Sequence, residues 1–306
     1  MAKNETLPLT GRRSSSLSVK QQRYLFIYGC LLIPLIFFIT IRILPILYSF
    51  NISVREWDLL SDEKPFVGLG NFVNLFNDPV FLKSLRNTVT YVLVGVPGQL
   101  VVGLAVALLI QRVTRLKGLY RLLYFLPYVT SVVAVSWVFR WIFMKNGVVN
   151  GILLELGFQA QLFLGSPTQA IYLVIAVMIW QALGFQMLIF LAGLENIPAM
   201  YEEAAAIDGA NWWQRFIHIT LPLLNPVIVF SVIIGSISFL QSFTQVLNMT
   251  LGGPLDSTLS LVLHIYNLAF KHFKMGDAAA ATVVLFAVIL VLSLVQMKLL
   301  NKKIEH

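Results

Sequence analysis

Six stretches of about twenty apolar residues constrain this chain more than any other feature. They run over 24–48, 88–110, 122–143, 170–194, 227–247 and 278–300. A backbone in hydrocarbon must satisfy its own amides, so stretches of this kind form helices. The predicted class is an all-α integral membrane protein with six transmembrane helices. Composition closes off the large soluble domain: 58% of residues are hydrophobic and 12% charged, about half the charge a water-facing surface carries. The first stretch follows a basic segment, yet it is too long for a signal peptide and no small-residue cleavage site follows it, so it reads as a retained span. Cys30 is the single cysteine and lies inside that stretch. The chain therefore holds no internal disulfide and no cysteine metal site.

The net charge of +8 becomes a topology signal once it is sorted by side. With the N-terminus in the cytoplasm, thirteen Lys and Arg fall inside, counting Lys298 at the inner end of the last span, and seven outside, while Arg42 and Arg140 remain within spans. The positive-inside rule then places both termini in the cytoplasm. Most of the weight comes from Arg112, Arg115, Lys117 and Arg121 in the short loop 111–121. A nucleic-acid partner would need a basic patch on a folded domain, and these charges instead flank apolar spans. Arg42 and Arg140 lie near the outer ends of their spans, where snorkelling to the headgroups accounts for them, and Trp137, Trp141 and Tyr172 read as interfacial belt residues.

All fourteen acidic residues and all four histidines (His218, His264, His272, His306) lie outside the spans. An ion-coupled secondary transporter ordinarily keeps carboxylates or histidines at membrane depth. A membrane-embedded enzyme needs a cluster of acid, base, nucleophile or metal-ligand side chains there. Neither pattern is present in the sequence, and the histidines have no ligand-like spacing, so no metal site is expected.

The loop 195–226, inside in this topology, is unlike the other connections. Four of the inside acids, Glu195, Glu202, Glu203 and Asp208, crowd into it. Pro198 suits the first turn of a helix, and Glu202 and Glu203 then fall where the dipole favours negative charge. Ala204, Ala205 and Ala206 extend that helix, Gly209 turns the chain, and a second short helix starts at Asn211. Pro222 is expected to end it. The product is a compact helix–turn–helix knob beneath the membrane.

Glu203-Ala204-Ala205, Gly209 and Ile219-x-Leu221-Pro222 resemble, in type and spacing, the "EAA" loop of binding-protein-dependent ABC importer permeases. Further likeness to the carbohydrate-type branch, the maltose and glycerol-phosphate importers, lies in Pro34, Pro45 and Ser49, in Gly68, Gly70, Asn71 and Phe72, in Gly252-Gly253-Pro254 with Ser257-Thr258, and in Gly276 with Ala278-Ala279-Ala280. The resemblance covers residues 24–300 and departs from the family at Phe243-Thr244-Gln245 and Met249-Thr250-Leu251. It implies an ABC type I importer permease fold in a bacterial cell membrane. It also implies a second, different permease subunit, two ATP-binding cassette subunits, an extracytoplasmic solute-binding protein and a sugar substrate. Glu203, Ala204, Ala205, Gly209, Ile219, Leu221 and Pro222 would then seat on the ATPase. The chain contains no G-x-x-x-x-G-K-[ST] phosphate loop, so ATP and Mg²⁺ are expected on the partner ATPases, with no cofactor here. The alternative for the loop is a connector lying on the membrane surface, and the downstream Gly209 and Ile219-x-Leu221-Pro222 decide against it.

A path for a polar solute needs hydrogen-bonding groups inside the helix bundle. The fifth span offers Ser231, Gly235, Ser238, Ser242 and Gln245 at helical spacing, with Gln241 beside them and Asn248 beyond. The fourth adds Trp180, Gln181, Gly184 and Gln186. Trp180, Gln181, Gln186, Gln241, Gln245 and Asn248 are taken as the substrate path, and Ser231, Gly235 and Ser238 as helix packing. A phosphate would call for buried Arg or Lys, which favours a neutral sugar over glycerol phosphate or another charged relative, with a polyol as the remaining alternative.

Overall fold

The computed structural model describes residues 18–61 and 63–300. The expected basic tail 1–23 is therefore described only from residue 18, and the 301–306 tail lies outside the described residues. The chain divides into two units, Met1–Tyr48 and Ser49–His306.

In the first unit, helix α1 (Val19–Ser53) contributes all but its last residues. Residues 19–48 are exposed throughout, and an all-round apolar helix of this kind suits hydrocarbon. Pro45 follows a π-helical turn, Ile39–Ile43, in which the Leu44 N–H donates to the Ile39 carbonyl. Proline has no N–H for the carbonyl one turn back, and the wider turn absorbs the mismatch.

The second unit starts with α2 (Gly70–Asn77) and α3 (Pro79–Arg112). Asp78 accepts from the Val80 N–H at 2.9 Å, and Pro79 takes a first-turn position that needs no N–H. These two residues start α3 well before the expected span 88–110. At 34 residues it is about 50 Å long.

The expected span 122–143 is two helices, α4 (Lys117–Val129) and α5 (Val132–Ile142), bent by 90°. Pro127 withholds an N–H, Thr130 is extended, and the Ser131 hydroxyl restarts the chain by accepting from the Ala134 N–H. After α6 (Val148–Glu155), α7 (Ala170–Glu195) matches the expected fourth span.

The knob holds α8 (Ala199–Ile207) and α9 (Trp212–Leu223). Pro222 does not end the second knob helix as expected. It sits within the last turn of α9, after a π-helical stretch Phe216–Thr220 that accommodates the missing donor. The break falls at the buried Leu224, where α10 (Asn225–Leu240) departs at 67°.

The expected span 227–247 stops at Leu240. Gln241 is in a turn and α11 (Thr244–Met249) is a separate helix. Ser242 and Gln245 thus leave the stripe that begins at Ser231. Helices α12 (Leu261–Phe270) and α13 (Met275–Leu300) complete the unit.

Glycines let α3 approach its neighbours. A Cβ at Gly95 would stand 2.3 Å from the Phe239 ring, and one at Gly103 would stand 2.4 Å from Gln186 Cγ. Close approach of this kind replaces the hydrophobic driving force that lipid does not supply. The larger core includes Phe81, Tyr91, Val174, Ile175, Phe239 and Leu261. A smaller one at the knob end joins Ala107, Ile110, Phe190, Leu194 and Leu224.

Candidate functional site

Between α3, α4, α7 and α10 lies a cavity of about 190 Å³, lined by Gln99, Tyr128, Met178, Gln181, Ser238, Phe239 and Gln245 among others. Its polar groups come from five separate elements, α3, α4, α7, α10 and α11. Gln245 Nε2 donates to Gln181 Oε1 at 3.3 Å, and Gln181 Nε2 reaches the Thr130 carbonyl at 3.5 Å. That carbonyl is free for a side chain because the α4–α5 break takes it out of the helix ladder. On the α3 side, Gln99 Nε2 donates to Gln186 Oε1 at 2.9 Å. Gln186 is buried, and its own Nε2 has no partner among the described residues. A wall of amides, one phenol and one hydroxyl offers both donors and acceptors and carries no formal charge, which suits hydroxyl-rich neutral solutes.

The structure brings two of the expected path residues, Gln181 and Gln245, onto this cavity. Gln186 is one hydrogen bond behind it. Trp180 packs edge-on against Phe139 with ring centres 5.0 Å apart and does not line it. Gln241 is exposed on the turn after α10. Asn248 bonds back within its own helix, donating to the Thr244 carbonyl four residues earlier at 2.7 Å. The Asn248 carbonyl accepts from Arg140 at 3.3 Å, and the Arg140 guanidinium also covers the Trp137 ring at 4.9 Å.

Among the residues read as packing, Ser231 is buried with no partner for its hydroxyl among the described residues and Gly235 lies against Val96, whereas Ser238 faces the cavity. Gly184 is a contact point, since a Cβ there would be 2.3 Å from the Tyr124 carbonyl oxygen. Gln99 and Tyr128 were missed. Gln99 had a signal: it is the one amide side chain in the run 88–110 and directly follows Pro97-Gly98.

The knob follows from local rules. Helix α8 ends in paired backbone bonds, Gly209 N–H to the Ala206 carbonyl at 3.1 Å and Ala210 N–H to the Ala205 carbonyl at 2.9 Å. This closure requires a left-handed residue, and Gly209 supplies it at φ +83. Asn211 then opens α9, exchanging bonds with Gln214 at 2.8 and 2.9 Å. Glu203, Ala204 and Pro222 are exposed, while Ala205, Ile219 and Leu221 are half-buried. Ile207 and Met200 also stand in the open, 87% and 67% exposed.

Residues 99–306 match the family described as "Binding-protein-dependent transport system inner membrane component". The chain belongs to that family. Among its relatives is the lactose transport system permease protein LacF of Rhizobium radiobacter, 39% identical over 283 residues that cover 90% of this chain and 94% of LacF. Another is the sulfoquinovosyl glycerol transport system permease protein SmoG of Agrobacterium fabrum, 36% identical over 239 residues and 78% of each chain. A solved bacterial ABC transporter involved in the import of the acidic polysaccharide alginate shares the fold, with a TM-score of 0.79 at 24% identity over 93% of this chain and 98% of that one. As a family member, this permease is the membrane component of a transport system that depends on a binding protein. The knob just described contains the residues that carried the family resemblance in the sequence.

Proposed function

We propose that this permease forms half of the translocation path of an ATP-driven importer for a neutral sugar. A second, different permease supplies the other half, two ATPase subunits bind ATP and Mg²⁺, and an extracytoplasmic binding protein delivers the substrate. Both termini and the knob face the cytoplasm. The observation that carries the reading is the amide-lined cavity: it is polar but uncharged, and α7, which supplies Gln181, runs directly into the knob. The names of the sugar-permease relatives support a saccharide substrate, and its neutrality rests on the uncharged cavity wall. ATP-driven closure of the ATPases moves the knob, seated through Glu203 to Gly209, and the cavity alternates in access between the two sides of the membrane.

The test uses the assembled complex in proteoliposomes, with ATP inside and binding protein outside, and compares labelled neutral sugars with glycerol phosphate. ATP-dependent uptake of a neutral sugar is expected. Gln181→Leu and Gln245→Leu should each lower it about tenfold, the effect of roughly one lost hydrogen bond. Unchanged uptake and an unchanged sugar profile in assembled variants refute the path assignment. Preferred uptake of glycerol phosphate moves the reading to a charged substrate and requires cations from the partner permease.

A further inference from the structure

The knob is exposed over α8, yet its entry and the start of α9 are both tied to one place, the residues flanking the short basic connection between α3 and α4. At the entry, Glu195 closes α7. A carboxylate at a helix C-terminus opposes the dipole, and two cations meet it there: Lys117 Nζ at 2.8 Å and Arg121 Nη2 at 2.5 Å, both on the same oxygen, Oε1. Lys117 and Arg121 are four residues apart, so they share a face of the first turns of α4. These attractions hold the Glu195 carboxyl below its usual range, the hydrogen bond from Lys117 first. At the start of α9, within the knob, Arg112 at the end of α3 covers the Trp212 ring at 5.0 Å.

Helix α4 continues from that ion pair to the cavity. Midway, Gly184 brings α7 against the α4 backbone at Tyr124 and Phe125, where an added Cβ would stand 2.5 Å or less from main-chain atoms. At its far end, Tyr128 lines the cavity and the Thr130 carbonyl accepts from Gln181. The pair α4–α7 is thus fastened at three levels: by ions at the knob, by backbone contact in the middle, and by an amide at the cavity.

We propose that Glu195, held by Lys117 and Arg121, is a positioning residue that makes α4 and α7 one lever, so that displacement of the knob moves both helices that carry Tyr128 and Gln181. This inference rests on the proposed coupling role of the knob. All three side chains are partly exposed, so the ion pairs contribute little stability, and their part is to fix direction.

The experiment measures sugar imported per ATP hydrolysed by the assembled complex. The wild type first has to show ATP-dependent uptake, and its absence counts against the proposed function. Given that uptake, Glu195→Gln is expected to lower the ratio about five-fold or more, and Lys117→Gln, which leaves Arg121 on the carboxylate, by less. The triple charge reversal Glu195→Lys, Lys117→Glu, Arg121→Glu is expected to restore it. A wild-type ratio in Glu195→Gln overturns the inference. So does a loss that charge reversal does not recover, because a purely structural role predicts that result. If Glu195→Gln does not assemble, the decision passes to the Lys117→Gln and charge-reversed complexes: an undiminished ratio in the first, or a diminished one in the second, overturns it equally.

Discussion

The two ends of α3 meet loops built on opposite principles. At its start, side chains along α3 grip the segment 250–260. Asn87 Nδ2 donates to the Asp256 and Leu259 carbonyls at 2.8 and 3.0 Å, the Tyr91 hydroxyl to the Thr258 carbonyl at 2.9 Å, and the Leu261 N–H to Thr88 Oγ1 at 2.8 Å. Lys83 adds a bond to the Leu255 carbonyl. That loop has residues such as Leu251, Leu255 and Asp256 in left-handed conformations, held by tertiary bonds. At the other end, the knob draws its shape from its own sequence and leaves its outer face uncovered. The first loop is a fixture of the fold, and the second is shaped locally and leaves its outer face exposed.

If that contrast holds, the largest effect on stability belongs to Asn87→Leu. It strands two carbonyls, and the assembled permease should lose about 2 to 4 kcal/mol in unfolding measurements. A null result would show that water can replace the grip. Gly209→Ala forces a β-carbon into the left-handed region and should weaken the knob by about 1 to 2 kcal/mol. Because nothing lies within 4 Å of that Cβ, the damage should stay local, read as faster hydrogen exchange over 199–215 alone. Spread of exchange into α7 would break the picture of a self-contained knob.

A smaller effect comes from His264 on α12, whose ring is buried 3.8 Å from the Asp78 carboxylate. Burial is the first cause and holds its pKa below the usual value, with Asp78 opposing. The native state therefore favours the neutral ring, and its stability is complete above the unfolded value of about 6.5. It declines as pH falls through that value toward the folded one. Melting temperatures between pH 7.5 and 5.5 should show the decline, and His264→Gln should flatten it. Least of all, Glu203→Gln should leave the melting temperature unchanged while removing stimulation of the ATPase by liganded binding protein. A lowered melting temperature would place Glu203 among the fold's own contacts.

The apolar runs were legible because lipid demands continuity, and α7 was found within a residue of its expected bounds. The break at Thr130 was not, although Pro127 stood in plain view, because a proline in a membrane helix is tolerated when neighbours satisfy the freed groups. Here Gln181 does so from α7, across 51 residues of chain. The end of α10 at Leu240 escaped for a similar reason: polar residues at helical spacing continue past it, but the chain turns, and Gln245 enters the cavity from a new helix.

The sequence by itself determined that the chain lies in a membrane and that it turns at Gly209 between two short helices. Both follow from short-range physics, the transfer of apolar side chains and the capping of helix ends. Only the tertiary structure decided which glutamines share a cavity and that Glu195 meets Lys117 and Arg121 across 78 and 74 residues. Such meetings depend on how α3, α4, α7 and α10 cross, and no local pattern encodes a crossing.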